Sequence, residues 1–106
     1  AFVGTAEFIA PEQLKDLPID GRADIYALGV TFYYMLSGEL PFSAATPEAL
    51  LLKALTEAPR PLSSSCDEIE AGSPAELIVD KALNKEPSQR FQSAEEMRLA
   101  LESLLL

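Results

Sequence analysis

The stretch DIYALGVTFYYMLSG, residues 24–38, decides the fold of this chain. Asp24 is a good helix N-cap, because its carboxylate can accept hydrogen bonds from the free N–H groups of a first helical turn. Gly38 follows the apolar run as a typical C-terminal stop. The pattern therefore predicts a helix over about residues 25–37.

This predicted helix is apolar on every side. One stripe along the helix consists of Ile25, Leu28, Phe32 and Met35. The remaining faces carry Tyr26, Val30, Tyr33 and Tyr34. A helix that is apolar all round has to be surrounded by protein. We therefore expect it to be the central, buried element of the fold.

Three further helices are predicted, over about residues 47–57, 74–84 and 94–105. The first begins at Thr46-Pro47, with proline at the first helical position. The other two begin at SPAE (73–76) and SAEE (93–96), which both have the Ser-x-x-Glu pattern of a capping box. Because no stretch favours a strand of convincing length, the sequence indicates an all-α chain.

These three short helices offer too little apolar surface to cover the central helix on all sides. Each of them presents a single apolar stripe and is otherwise polar. We therefore expect the missing cover to come from residues that precede Ala1, and the chain to be a fragment of a larger unit.

The composition excludes several classes of function. A formal net charge of −9 argues against nucleic acid or an anionic membrane surface as a partner, since both require clustered Lys and Arg. The chain has no His, so it contains neither a Ser-His-Asp triad nor a His-ligated metal. Its single Cys66 cannot form an internal disulfide, which is typical of a reducing compartment. The apolar run from Ile25 to Leu36 is too short to span a bilayer, so we expect no membrane contact by this segment.

Four motifs together resemble a known family. GTAEFIAPEQL (4–14), DIYALGV (24–30), SGELPF (37–42) and PSQRF (87–91) resemble, in order and spacing, the C-terminal half of the catalytic domain of eukaryotic-like Ser/Thr protein kinases, in the style of the bacterial members. The resemblance implies the helical C-lobe of the protein-kinase fold, with about four main helices and long loops. The full kinase domain is α+β, and residues 1–12 correspond to the end of its activation segment.

The resemblance also implies roles for four structural residues. Glu12, in the Ala-Pro-Glu element, is expected to pair with Arg90 and so to tether the activation segment to the helical base; the alternative is two unrelated surface charges. A bidentate Arg–carboxylate pair suits this task because it fixes orientation as well as distance. The Asp that matches Asp24 also holds the backbone of the catalytic loop in kinases. Gly29 matches a small residue that permits close backbone approach; otherwise it is a tolerated helix glycine.

Five residues near the start of the chain match the substrate side of a kinase. The Thr that corresponds to Thr5 hydrogen-bonds the catalytic base and Lys, so Thr5 is implied as a supporting catalytic residue unless it is an ordinary loop hydroxyl. Phe2, Ala6 and Ile9 match positions that line the pocket for the residue after the phosphorylated one, and plain core packing is the alternative. Glu7 offers a negative charge to the substrate, as it does in some relatives.

One position departs from the pattern of kinases that prefer basic substrates. Those kinases often place an acidic residue in the long helix just before its Met, where it binds a substrate Arg. Here Tyr34 precedes Met35. Selection for Arg-rich substrates is therefore not expected from this helix.

The parts that bind nucleotide and metal in a kinase are absent from this sequence. Its five glycines, at positions 4, 21, 29, 38 and 72, form no G-x-G-x-x-G, and without His there is no H-R-D motif. We therefore expect no metal or cofactor in the chain alone, and ATP with Mg²⁺ in the full-length kinase.

The resulting hypothesis is the C-lobe part of an ATP-dependent Ser/Thr protein kinase. It would form the substrate-docking floor and helical base, and would be inactive by itself. The expected partners are a protein substrate and the upstream remainder of the kinase domain. The expected location is the cytoplasm, either free or as the cytoplasmic domain of a membrane-anchored kinase. A pseudokinase, or a non-enzymatic helical binding module, is the alternative.

Overall fold

The computed structural model describes residues 6–15 and 17–105, and throughout them every regular element is helical. Six α-helices follow in chain order: α1 Pro11–Leu14, α2 Arg22–Ser37, α3 Pro47–Thr56, α4 Leu62–Ser65, α5 Pro74–Ala82 and α6 Ala94–Glu102. Three single turns of 3₁₀-helix accompany them: Ala6–Phe8, Pro87–Gln89 and Ser103–Leu105. The predicted all-α class is confirmed for the described residues.

Helix α2 is the longest helix and contributes the largest share of the buried core. It contacts α4, α5 and the 3₁₀ turn Ala6–Phe8. Its inner face carries two of the largest fully buried side chains, Tyr26 and Tyr33. A second cluster, beneath the N-terminal part of the helix, joins Ile25 to Phe91 and Met97. The core therefore lies between α2 on one side and α5 and α6 on the other.

The start of α2 differs from the prediction. The helix begins at Arg22, so Asp24 lies exposed in the first turn, and the prediction that Asp24 is the N-cap is wrong. Gly21 precedes the helix and offers no side chain for capping. Instead, the carboxylate of Asp20 accepts a hydrogen bond from the Arg22 N–H at 2.9 Å. Because Asp20 satisfies one of the free N–H groups, the helix can begin three residues earlier than predicted.

The outer flank of α2 is not covered by the described residues. Leu28 is 40% exposed, Met35 70% and Leu36 45%. The other described helices therefore do not surround α2, as expected from the sequence. Helix α2 itself is buried along one face and not on all sides. Exposed apolar side chains that share one face of a helix usually mark a surface that another part of a protein covers.

Gly29 lies where α2 and α5 approach most closely. A Cβ atom at this position would lie 2.8 Å from Cβ of Ala82 and 3.0 Å from Cδ2 of Leu83. Contacts this short do not occur between real side chains, so a larger residue would force the two helices apart. The glycine thus sets the distance between the two main helices of the core.

Two of the three predicted helix starts have a side-chain cap, although at residues 93–96 only the Ser93 half of the predicted capping box forms and the Glu96 carboxylate lies near Lys81. The Thr46 hydroxyl accepts from the Ala49 N–H, and the Ser93 hydroxyl accepts from the Glu96 N–H, both at 3.1 Å. Ser73 forms no such bond, so the capping box predicted at residues 73–76 is wrong. The helix ends differ from the prediction by one to three residues, because α3, α5 and α6 end at Thr56, Ala82 and Glu102.

Candidate functional site

A buried ion pair joins the two ends of the chain. Glu12, in α1, and Arg90, just after the 3₁₀ turn Pro87–Gln89, are 78 residues apart in sequence. Nη1 of Arg90 donates to Oε2 of Glu12 at 2.6 Å, and Nη2 donates to Oε1 at 2.7 Å. Only 1% of Arg90 and 3% of Glu12 is exposed. The structure therefore brings the two residues together in a bidentate geometry that fixes the orientation of both groups.

The remaining N–H groups of Arg90 all have backbone partners. Nε donates to the carbonyl of Asn84 at 2.6 Å, Nη1 to that of Arg22 at 3.0 Å, and Nη2 to that of Lys85 at 3.4 Å. With the two bonds to Glu12, all five donors of the guanidinium are satisfied. Lys could supply only three donors from a single point, so it cannot replace this residue.

Electrostatics keep the pair ionised in spite of its burial. Burial acts to raise the pKa of the Glu12 carboxyl, but the hydrogen bonds and the positive charge of Arg90 outweigh it, so that pKa lies below its ordinary value. The ring of Tyr26 lies 5.1 Å from the guanidinium carbon and adds a cation–π contact. Desolvation raises the pKa of Tyr26 to about 12, so its phenol stays neutral beside the pair.

A second group of polar side chains supports the loop that carries Arg90. The side-chain amide of Gln92 donates to the carbonyls of Pro87 and Arg90 at 3.1 and 2.7 Å, and its oxygen accepts from Nη1 of Arg22 at 3.1 Å. Arg22 is in turn held by Asp20. Sequence reasoning missed this group, because the bond from Arg22 to Gln92 joins residues 70 positions apart and the other bonds of Gln92 go to backbone carbonyls.

The ion pair anchors the short segment that precedes it. Ala10 is fully buried, and its N–H donates to Oε1 of Gln13 at 2.7 Å, which closes the start of α1. Pro11 occupies the first helical position, where its missing N–H is not needed. Residues 6–14 therefore lie against the helical base in one defined position.

The structure places three of the five predicted substrate residues. Ala6, Glu7 and Ile9 are half-buried in or next to the turn Ala6–Phe8, which packs against α2 and α3. Oε2 of Glu7 is buried and has no hydrogen-bond partner within the described part of the chain. Phe2 and Thr5 lie outside the described residues, so the place of Phe2 in the substrate pocket and the supporting catalytic role of Thr5 stay predictions.

Within residues 6–15 and 17–105 no three His, Cys, Asp or Glu side chains stand close enough to hold a metal ion. Mg²⁺ in kinases is held by carboxylates together with the nucleotide phosphates. In the same part of the chain, no helix is long and apolar enough to cross a membrane.

Comparison with known proteins identifies the class. The model of the protein kinase domain family matches residues 1–100. The chain therefore belongs to the protein kinase domain family.

Individual relatives agree with this assignment. The serine/threonine-protein kinase PknB of Mycobacterium tuberculosis (strain ATCC 25618 / H37Rv) is 39% identical over 101 residues, which is 95% of this chain and 16% of the relative. The probable serine/threonine-protein kinase SCO3848 of Streptomyces coelicolor is 39% identical over 105 residues, 99% of this chain and 15% of the relative. This chain thus spans about a sixth of the length of the curated relatives that it matches.

A solved structure has the same fold. The twitchin kinase region from C. elegans superposes with a TM-score of 0.76 at 26% identity. The match covers 94% of this chain and 17% of the other. The helical arrangement described above is therefore that of part of a protein kinase.

Proposed function

We propose that this chain forms the substrate-docking floor and helical base of the C-lobe of an ATP-dependent Ser/Thr protein kinase. The observation that carries the proposal is the buried pair of Glu12 and Arg90, which ties the segment ending in α1 to the base. A tether of this kind is of use where a segment must be held in one orientation while a substrate binds to it. Relatives named serine/threonine-protein kinases, at 39% identity, support the same function.

The geometry suggests how the floor would contribute to phosphoryl transfer. Kinases act by positioning and by electrostatic stabilisation, so the acceptor hydroxyl must be held within reach of the base. Residues 1–12 are proposed as the end of the activation segment, with Thr5 hydrogen-bonded to the base and Lys of the full domain. Because Glu12 is fixed by Arg90, the residues just before it have a fixed place relative to α2.

Substrate selection is proposed to depend on the half-buried residues of the same segment. Phe2, Ala6 and Ile9 would accept an apolar side chain just after the phosphorylated residue. Glu7, whose buried Oε2 lacks a partner in the described part of the chain, would attract a substrate Lys or Arg. The protein substrate would therefore combine a Ser or Thr with a following apolar residue.

The remainder of the kinase domain is proposed as the partner of the exposed flank of α2. Leu28, Met35 and Leu36 need a cover that the described residues do not supply. Asp24 is exposed at the start of the same helix and is free to hold the backbone of the catalytic loop. That remainder would supply the catalytic base and would bind ATP and Mg²⁺. The kinase domain would lie in the cytoplasm, either as part of a free protein or attached to a membrane anchor.

A kinase assay tests the proposal. The intact protein in which these residues occur is incubated with Mg²⁺, ATP labelled at the γ-phosphate, and a generic basic acceptor protein. We expect saturable phosphorylation of Ser or Thr by the intact protein and none by the 106-residue chain alone. Arg90→Met should lower kcat/KM by about 10²-fold, because the floor is misplaced. Arg98→Met, which removes an exposed Arg of α6, should have no comparable effect.

Failure of the assay would favour the alternative function. If the intact protein transfers no phosphate, a pseudokinase or a non-enzymatic helical module accounts for the chain. The residues encoded before Ala1 then discriminate, because a pseudokinase has replacements at both the catalytic and the metal-binding Asp. Turnover by the 106-residue chain itself would contradict the proposed division of labour.

A further inference from the structure

A groove lies on the surface between the loop that leads into α5 and the C-terminal 3₁₀ turn. Its volume is about 600 Å³, within the range of sites that bind ligands. It is lined by eight residues: Glu68, Ile69, Glu70, Ser73, Pro74, Ala75, Ser103 and Leu104. None of them belongs to the segment of residues 6–14 or to the Glu12–Arg90 pair, so this groove is separate from the site described above.

The lining of the groove combines an apolar surface with carboxylates. Ile69 is partly buried against the main core, which makes it a firm part of the wall. Leu104, on the opposite side, is 41% exposed and so presents open apolar surface. Glu68 and Glu70 are exposed on either side of Ile69. An aliphatic side chain and a cation could therefore be bound next to each other.

The charge of the surrounding sequence has one sign. Residues 61–80 contain five Asp or Glu and no Lys or Arg, in a chain with a formal net charge of −9. No cationic side chain lines the groove. A uniform field of this kind attracts and orients basic ligands, and it repels anionic ones.

One polar group at the groove lacks a partner. Oγ of Ser73 is buried, caps no N–H of α5, and makes no hydrogen bond to any described residue. Because the oxygen is shielded from solvent, a small shift of the groove wall has to precede any bond from this hydroxyl to a peptide group at the groove. A backbone carbonyl or N–H of a bound chain would then satisfy it.

We propose that the groove docks an extended peptide of a partner protein in which an aliphatic residue neighbours Lys or Arg. The aliphatic side chain packs between Ile69 and Leu104, and the basic side chains pair with Glu68 and Glu70. This combination of an apolar anchor in a pocket and a charged rim is how peptide sites obtain affinity and specificity. The docking is independent of the proposed kinase reaction and needs no nucleotide.

Fluorescence anisotropy tests the proposal with the intact protein in the absence of ATP. The probe is the fluorescein-labelled peptide Gly-Lys-Leu-Lys-Arg-Leu-Gly-amide. Two counterparts carry Ser for both Leu, or Glu for the Lys and Arg. We expect saturable binding of the first peptide and binding about tenfold weaker for each counterpart. If the first peptide does not bind saturably, or if the Ser peptide binds as tightly, the proposal is overturned.

Matched variants of the protein locate the binding. The double variant Glu68→Lys/Glu70→Lys should weaken binding about tenfold, whereas Glu48→Lys/Glu86→Lys, with the same change in net charge, should change it less than about twofold. Equal weakening by the two pairs would mean general charge attraction and would overturn the proposal. These four carboxylates are exposed, so the variants are expected to fold.

The apolar anchor has its own control. Leu104→Ser should weaken binding about fivefold, and Leu99→Ser, at an exposed leucine of α6 outside the groove, should leave it unchanged. Equal effects of the two substitutions would contradict the assignment of the groove. Circular dichroism checks the fold of both variants, and if Leu104→Ser disturbs it, the peptide series with the unchanged protein decides.

Discussion

Glu12 and Glu76 are both buried carboxylates, yet the structure binds them by different means. Glu12 is 3% exposed and shares two hydrogen bonds with the guanidinium of Arg90. Glu76 is 6% exposed and has no cation beside it in the described residues. Its two oxygens accept from the backbone N–H groups of Ser63, at 2.7 Å, and Gly72, at 2.9 Å.

The difference shows that a buried negative charge does not require a positive partner. Glu76 lies in the first turn of α5, where the free N–H groups and the helix dipole favour an anion. Hydrogen bonds from Ser63 and from the Gly72 N–H hold its pKa below the ordinary value. Glu12 connects segments 78 residues apart, whereas Glu76 connects α4, the following loop and α5. The first contact, the Glu12–Arg90 pair, is a long-range tether. The second contact, the bonds of Glu76, holds together one local corner of the fold, formed by α4, the following loop and the start of α5.

The largest effect is expected from removing the cation of the first contact. Arg90→Met should lower the free energy of unfolding by about 3–5 kcal/mol, because Glu12 is left as an uncompensated buried charge. Urea unfolding followed by circular dichroism at 222 nm measures the change. The exposed Arg98 of α6, whose ion pairs within the described residues are with Glu95 and Glu102, provides the control, and Arg98→Met should cost less than about 1 kcal/mol.

A double variant separates the charge from the packing. Glu12→Leu/Arg90→Met should recover part of the stability that Arg90→Met loses, since apolar pairs can replace buried ion pairs. If the loss of unfolding free energy in the double variant equals the sum of the losses in Glu12→Leu and Arg90→Met, the effect comes from the backbone hydrogen bonds of Arg90 and not from its bonds to Glu12.

The second contact should be weaker but clearly measurable. In Glu76→Gln an amide group faces one of the two backbone N–H groups, so one hydrogen bond is replaced by a clash of donors. We expect the midpoint of thermal unfolding to fall by about 5 °C. Glu96→Gln is the control, because Glu96 is exposed and its carboxylate makes a long surface contact of 3.6 Å with Nζ of Lys81. If the two substitutions have equal effects, Glu76 is not the organiser of this corner.

Much of the fold could be predicted from sequence, because helical periodicity and start signals are local. The all-α class follows from them, and so do the caps at Thr46 and Ser93. The start of α2 was missed because it depends on Asp20, a residue outside the apolar run. The Ser-x-x-Glu pattern at residues 73–76 was misread, because the pattern does not determine from which N–H groups the glutamate side chain accepts hydrogen bonds. Here α4 supplies one from another part of the chain.

The candidate site was less accessible to sequence reasoning. Glu12 and Arg90 were paired only through the resemblance to kinases, because nothing local connects residues so far apart. The backbone carbonyls that complete the shell of Arg90 carry no sequence signal at all. The support from Gln92 was missed for the same reason. Phe2 and Thr5 lie outside the described residues, so their roles remain predictions.

The starts of α5 and α6 share the Ser-x-x-Glu pattern, yet only Ser93 caps its helix. Ser93→Ala removes the hydroxyl that accepts from the Glu96 N–H, and it should lower the free energy of unfolding by about 1 kcal/mol. Ser73→Ala removes a hydroxyl that forms no hydrogen bond to any described residue. It should leave stability unchanged or slightly higher. Urea unfolding of both variants provides the measurement, and an equal loss would mean that Ser73 does cap α5 in solution.

The smallest change is expected on mild acidification, where the two contacts act in the same direction. The pKa of Glu12 and that of Glu76 both lie below the ordinary value of 4.5, so each carboxylate stabilises the fold fully above that pH. The unfolded chain takes up protons first as the pH falls, and the contribution is lost as the pH passes through the lowered values. The free energy of unfolding should therefore stay nearly level from pH 7 to about pH 5 and decline below it.

The Glu76→Gln variant assigns this decline to its source. The lowered pKa values of Asp20 and Glu95 contribute in the same sense in both proteins. The pKa of Asp80, raised by desolvation and by the charge of Glu76, opposes them, and it does so less in the variant. Because the variant lacks one of the two buried carboxylates, its stability should decline less steeply between pH 5 and pH 3 than that of the unchanged protein. Urea unfolding at four or five pH values measures both slopes. Parallel slopes would mean that the backbone N–H groups do not lower the pKa of Glu76, and that a lowered pKa at a buried carboxylate of this fold requires a cation.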